Sequence, residues 1–277
     1  MTVATIPSAI PAQSAFRSGL VDAYNATRRY LIRGRRQPDI IFGSVLFPVI
    51  FVVLFGYVFG SSISVPGGNY HSYLMSGLFA QSTLFASSQV AVAVATDMNE
   101  GVIDRFKTLP IARSSILIGR SISTIILGLP ALAVMIVCAL AVGWRPENGL
   151  FNAFLGFLLI EVFAFALCWL GILIGLIAKS SQAADVIASV PVFLLGFISN
   201  VFVDTSKMPV WLRVFADWNP VSAVVAAGRN LFGNSIGPPP AGVWSLQHPE
   251  ITTIVLGVII IAIFLPLSVR RYSRTSR

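Results

Sequence analysis

Glu161 is the one acid well inside a long apolar run of this 277-residue chain. A carboxylate in hydrocarbon is costly and is by default a candidate for function, drawing in a cation or carrying a proton. It could equally be protonated and silent. Gln81, Ser82, Thr83, Ser87, Ser88 and Gln89 also fall inside an apolar stretch. Such groups must face protein or water. Gln81, Ser88 and Gln89 are candidates for lining a path, and helix–helix hydrogen bonds explain them as well. The third polar feature is the island DMNEGVIDRFKTLP, Asp97 to Pro110, set between two apolar runs. No Ser, His and acid trio shares a face. His71 and His248 stand alone, and Cys138 and Cys168 lie in apolar runs without metal-ligand spacing. There is no G-x-x-x-x-G-K-S/T phosphate loop; GLIAKSS at Gly175 has the wrong spacing. The chain is expected to bind no cofactor and no metal.

The elements that must position these residues are apolar helices. The chain is 56% hydrophobic and only 11% charged, against about 25% charged in ordinary globular proteins. A helix rises ~1.5 Å per residue, so a ~30 Å hydrocarbon core takes about 20 apolar residues. Six stretches qualify: 40–59, 73–96, 116–142, 150–178, 186–203 and 251–269. Pro130 should kink the third, and Pro191 falls in the fifth. The runs are continuous and not alternating, which excludes a barrel. The expected fold is all-α integral membrane, one domain over 1–277. GYVFG and GILIG, Gly56 to Gly60 and Gly171 to Gly175, suit close helix approach.

The net charge of +8 would suggest nucleic acid in a soluble protein. Here the Arg residues flank apolar runs, so membrane lipids are the expected partner and nucleic acid is not. With both termini cytoplasmic, fifteen of the nineteen Lys and Arg lie inside, as the positive-inside rule asks. Residues 1–36 lack the apolar core of a cleavable signal. Residues 1–13 read as disordered. Phe16, Leu20, Tyr24 and Leu31 recur near helical spacing, so 14–36 reads as an interfacial helix on the cytoplasmic leaflet; a disordered basic leader stays open.

In that orientation the island is cytoplasmic. Asn99 is placed to cap a short helix, with Glu100 and Asp104 early, Arg105 and Lys107 later, Phe106 as an aromatic anchor and Pro110 as the stop. A helix so short is marginal alone. Residue chemistry leaves a docked helix and a solvated loop equally open. Asp185 is placed to cap the fifth span. On the far side, Asn219 and Pro220 read as an N-cap followed by Pro at the first helical position, and Gly233 as the end. Trp211 and Trp218 suit a membrane interface, and Arg229 must face protein or water. A helix dipping into the outer leaflet and an ordinary surface helix both fit. GPPPAG, Gly237 to Gly242, is a stiff link to the last span.

Two strings carry a family resemblance. MNEGVIDRFKTLPIARSSILIGRSIS, from Met98, resembles the segment after the second span of ABC-2 type exporter permeases, in particular the daunorubicin/doxorubicin resistance type. MPVWLRVFADWNPVSAVVAAGRNLFG, Met208 to Gly233, resembles the segment before their last span. The resemblance covers nearly the whole chain. It implies six transmembrane helices, an N-terminal interfacial helix, a cytoplasmic coupling helix and a re-entrant outer helix. It implies that Glu100, Gly101, Asp104, Arg105 and Phe106 meet a separate ATP-binding cassette subunit, which holds ATP and Mg. It also implies a second permease half, identical or paralogous, and a path bordered by spans two and five.

The expected function is therefore the permease subunit of an exporter moving amphipathic drugs, lipids or glycolipids across a cell membrane, as in a bacterial inner membrane. It is not an enzyme. The alternatives are a proton-coupled drug carrier using Glu161, for which no inverted repeat is visible, and a lipid-modifying enzyme, which lacks a catalytic set.

Overall fold

A computed structural model describes residues 12–35, 46, 49–55, 70–102, 113–235, 237–240 and 242–274. Asp104, Arg105, Phe106, Pro110 and the GYVFG string lie outside the described residues, as does most of the first apolar stretch, of which 49–55 are helical. The described residues contain helices and no strand.

Helix α1 is Ala12–Arg35 and starts within the segment read as disordered. Helices α2 (Tyr70–Asn99), α3 (Arg113–Val142) and α4 (Gly149–Ile177) follow. Each extends past the apolar stretch from which it was expected, apart from the last residue of the fourth stretch. Helix α3 stays helical through Pro130. At ~1.5 Å per residue a 30-residue helix is about 45 Å long, enough to cross the bilayer and project beyond it.

Helix α5, Ser181–Phe197, has 17 residues and stops six short of the expected Val203. Two local polar groups end it. The Ser199 hydroxyl donates to the Gly196 carbonyl at 2.5 Å and accepts from Val201 N–H at 3.2 Å. Asn200 N–H is taken by Ser222 at 3.1 Å. These bonds offer the backbone an alternative to continuing the helix. The cap of α5 is also corrected: Ser180, not Asp185, accepts from Ala183 N–H at 3.1 Å. Asp185 sits inside the helix.

Helix α6 is Val210–Asp217 and α7 is Pro220–Phe232. The expected caps of α7 are present. Asn219 accepts from Val221 N–H at 2.9 Å, and Gly233 adopts φ 78°, which suits glycine. A short turn, α8 (Trp244–Gln247), leads into α9, Pro249–Arg274. Among the described residues four helices, α2, α3, α4 and α9, are long and apolar enough to cross a membrane. The chain is a multi-pass membrane protein.

Helix α2 is the hub. Two thirds of its apolar window is buried, 67%, against 17% for α3. It packs most extensively on α4, and α9 and α7 close the other side of α4. GILIG makes that contact close. A Cβ at Gly175 would come 2.6 Å from the Ala91 carbonyl oxygen, and one at Gly171 3.3 Å from that of Ser87. Leu150, Phe151, Phe154 and Leu158 of α4 and Ile251, Ile254 and Val258 of α9 are exposed, as lipid-facing side chains must be.

Candidate functional site

Three polar assemblies stand out in this apolar frame: a seam between α2 and α5, a charged junction at one end of the bundle and an arginine clamp at the other.

Along the seam, Gln81, Phe85, Ser88 and Gln89 recur at helical spacing on one side of α2. The structure brings all three of the expected polar residues against α5. Gln81 lies over Gly196, where a Cβ would overlap its carboxamide. The hydroxyls of Ser88 and Ser189 are 3.5 Å apart. Gln89 donates to Asp185 at 3.5 Å, and Ser189 donates to the same carboxylate oxygen at 2.8 Å. Phe85 and Phe193 continue the seam with ring centroids 6.2 Å apart. Several α2 hydroxyls are satisfied by their own helix: Thr83 donates to Phe79 O at 3.0 Å, Ser87 to Leu84 O at 2.6 Å and Ser88 to Phe85 O at 2.7 Å. Gln81 differs. It is 2% exposed, and neither carboxamide atom has a hydrogen-bond partner among the described residues. Glu161, on α4, is half-buried and forms no hydrogen bond with the seam.

The charged junction forms where α2 ends. Helix α2 ends on Asn99, and Glu100 N–H still donates to Thr96 O at 2.9 Å; Val102 is helical again, and the rest of the short helix expected there lies outside the described residues. The chain turns at Gly101, φ 66°, a conformation glycine adopts at no steric cost. Asp97, 3% exposed, accepts from Arg33 of α1 at 2.9 Å, and its second oxygen lies 3.7 Å from Arg120 of α3. Arg33 also donates to Glu100 at 2.8 Å. The Arg120 guanidinium sits 4.5 Å over the Tyr30 ring. Burial, and next the Asp97 carboxylate, push the Tyr30 phenol up, so it stays neutral. Below it, α1 packs on Gly119, whose missing side chain admits Ala26 and the Ala23 carbonyl. The sequence reading missed Arg33 and Arg120; the only hint was basic residues flanking the acid-bearing end of a span.

The clamp is at the other end. Arg229 is 4% exposed. It donates to the carbonyls of Tyr73 at 3.2 Å, Asn200 at 2.8 Å and Val201 at 3.1 Å. Its guanidinium lies 3.4 Å from the Tyr73 ring centroid, a cation–π contact. Tyr73 donates to Asn200 O at 2.8 Å. Asn219 adds to its capping role by donating to Leu195 O at 2.7 Å and Ile198 O at 2.6 Å. Arg229 thus faces protein, as its cost in lipid demands. Trp211 and Trp218 are exposed, and share one side of α6 with Val210, Val214 and Phe215. Among the described residues no group of three or more His, Cys, Asp or Glu could hold a metal ion.

Known proteins share this arrangement of sequence. A daunorubicin resistance ABC transporter permease of Streptomyces coeruleorubidus is 26% identical over 280 residues, 97% of this chain and 96% of that protein. A probable doxorubicin resistance ABC transporter permease of Mycobacterium tuberculosis is 25% identical over 244 residues, 86% of this chain and 88% of that one. A putative transport permease of Porphyra purpurea is 23% identical over 217 residues, covering 75% and 72%. The family model for ABC-2 type transporters matches residues 23–232, which take in the seam, the junction and the clamp, and the chain belongs to that family.

Proposed function

We propose that this chain is the transmembrane subunit of an ATP-driven exporter that moves amphipathic drugs, lipids or glycolipids out of the cell. A separate subunit binds ATP and Mg and hydrolyses the nucleotide. A second permease half, a copy or a paralogue, completes the path. Six spans cross a bacterial inner membrane, both termini are cytoplasmic, and α7 is the re-entrant outer element. The observation that carries this reading is the family match across residues 23–232, which includes the whole Asp97–Pro110 segment.

Glu100, Gly101, Asp104, Arg105 and Phe106 form the coupling segment that docks on the ATPase. The turn at Gly101 and the half-exposed Glu100 support a segment that leaves the bundle there. ATP binding closes the ATPase dimer, pushes the coupling segments and switches an inward-open crevice outward, a rigid-body rearrangement of packed helices. The α2–α5 seam borders the crevice. Gln81 supports this, because a buried carboxamide without a partner is costly and a polar cargo group can repay it.

The test uses proteoliposomes holding the permease with the ATP-binding subunit that co-purifies with it. The relatives' names make doxorubicin the first cargo to try. Exchanging the charges at Asp104 and Arg105 (Asp104→Arg with Arg105→Asp) should cut both permease-stimulated ATP hydrolysis and cargo movement by about tenfold or more, the size of losing an interface hot spot. Membrane insertion should be unchanged. Full transport by that variant refutes the coupling role. Glu161→Gln should leave export intact; loss of export, together with sensitivity to a proton uncoupler at constant ATP, favours a proton-coupled carrier.

A further inference from the structure

We infer that Asp97 is a positioning residue that clamps α1, the end of α2 and the start of α3 into one unit, so that the three follow the coupling segment together. The inference rests on the coupling role proposed above for the residues that follow Asp97.

One buried carboxylate is shared by two guanidinium groups from two different helices. Arg33 comes from α1 at 2.9 Å and Arg120 from α3 at 3.7 Å. Asp97 itself is in the last turn of α2, four residues before the turn at Gly101. The segment that follows runs from there to the first residues of α3. Both ends of that segment are therefore anchored on helices that Asp97 holds. Glu100 adds a second bond to Arg33 at 2.8 Å, but its side chain is 48% exposed, and solvent and salt weaken an exposed pair. The Asp97 side chain is 4% exposed, so its attraction is little screened. Arg29 and the phenols of Tyr30 and Tyr272 border the cluster, the last from α9.

The apolar side of the joint joins α1 to α3, where Leu127 also lies against Gly34, and does not reach the end of α2. Helix α1 meets α3 through Ala23, Ala26 and Thr27 against Gly119, and Thr27 donates to Ala23 O at 2.8 Å and to Gly119 O at 3.4 Å. Small side chains give close contact but little buried apolar area. Arg33 carries the hydrogen bonds between α1 and the end of α2 seen among the described residues. Without Asp97 the guanidiniums of Arg33 and Arg120 lose the buried anion between them, Arg33 keeps only the exposed Glu100 pair, and the end of α1 is loosened from α2.

The experiment has two readouts on the same full complex. Cys138 and Cys168 are replaced by Ala, and Thr27→Cys places a thiol under α1, where Thr27 is 8% exposed. Maleimide labelling of that thiol reports docking of α1. ATP hydrolysis with and without the permease reports coupling. With Asp97→Asn, labelling should speed up by about tenfold or more and stimulation of hydrolysis should fall by roughly fivefold or more. Asp97→Glu, which keeps the charge, should retain most of both. Unchanged labelling in Asp97→Asn overturns the inference. So does faster labelling with stimulation intact, which makes the cluster merely structural. So does lost stimulation with labelling unchanged. Should Asp97→Asn not reach the membrane, Arg33→Gln, whose side chain is 38% exposed, must give the same two changes. If the unsubstituted permease stimulates no hydrolysis, the proposed function fails instead, and the labelling arm still decides whether Asp97 holds α1.

Discussion

Each end of the bundle buries an arginine site, and the two are held in opposite ways. Arg229 takes three backbone carbonyls and one ring, with no carboxylate partner among the described residues. Those carbonyls belong to the start of α2 and the turn after α5. The backbone fixes them in place, and the guanidinium, 4% exposed, cannot reach water instead. Arg33 and Arg120 are held by side-chain carboxylates, and are themselves 38% and 17% exposed. Those bonds can part and re-form by rotation of side chains, and the freed guanidiniums can reach water. One end is a fixed joint; the other can be remade. The rocking of packed helices proposed above would call for both kinds, one to hold the pivot and one to pass on the push.

The sharpest way to break this comparison is to remove each cation's support in turn. Arg229→Ala takes a donor from three buried carbonyls, of which Asn200 O keeps the Tyr73 hydroxyl, and should cost on the order of 3 kcal/mol, read as thermal unfolding in detergent. Arg229→Lys should recover little, because an ammonium cannot match the planar fork and the ring stack together. Asp97→Asn should cost less, about 1–2 kcal/mol, since its arginines can turn toward water. Equal losses at the two ends would dissolve the distinction between them.

The fixed end was partly legible from sequence, and the other end was not. Asn219, Pro220 and Gly233 announce a helix because capping chemistry is local: each acts on backbone within a few residues. Arg229 could be assigned a protein-facing environment from cost alone. Its partners could not, since Tyr73 is 156 residues away. The long apolar helices were visible by length and composition, while the early end of α5 was not, because Ser199 and Asn200 look like ordinary tolerated polar residues in an apolar run. Asp185 has the chemistry of a cap, yet it lies within a helix that Ser180 already caps. Propensity offers a cap; the neighbouring backbone decides whether the offer is taken. At the junction, Asp97 reads as one charge among several in a charged island. Only packing shows that it is buried between α1 and α3.

Two glycines sharpen the comparison at smaller scale. A Cβ at Gly77 of α2 would come 2.6 Å from the Val201 carbonyl oxygen, the same oxygen that accepts from Arg229. That oxygen is pinned and cannot yield, so Gly77→Ala should destabilise by about 2 kcal/mol as an overpacking change. A Cβ at Gly119 of α3 would come 2.7 Å from Ala26 Cβ and 3.0 Å from the Ala23 carbonyl. There the neighbour is all of α1, tied by side chains that can swing. Alanine also favours a helix interior over glycine by roughly 0.5–1 kcal/mol, which offsets part of the clash. Gly119→Ala should therefore change thermal unfolding by less than about 1 kcal/mol while labelling of Thr27→Cys becomes faster. Slow labelling together with a large loss of stability would mean that α1 is as rigidly joined as the Arg229 end, and that both joints are fixed.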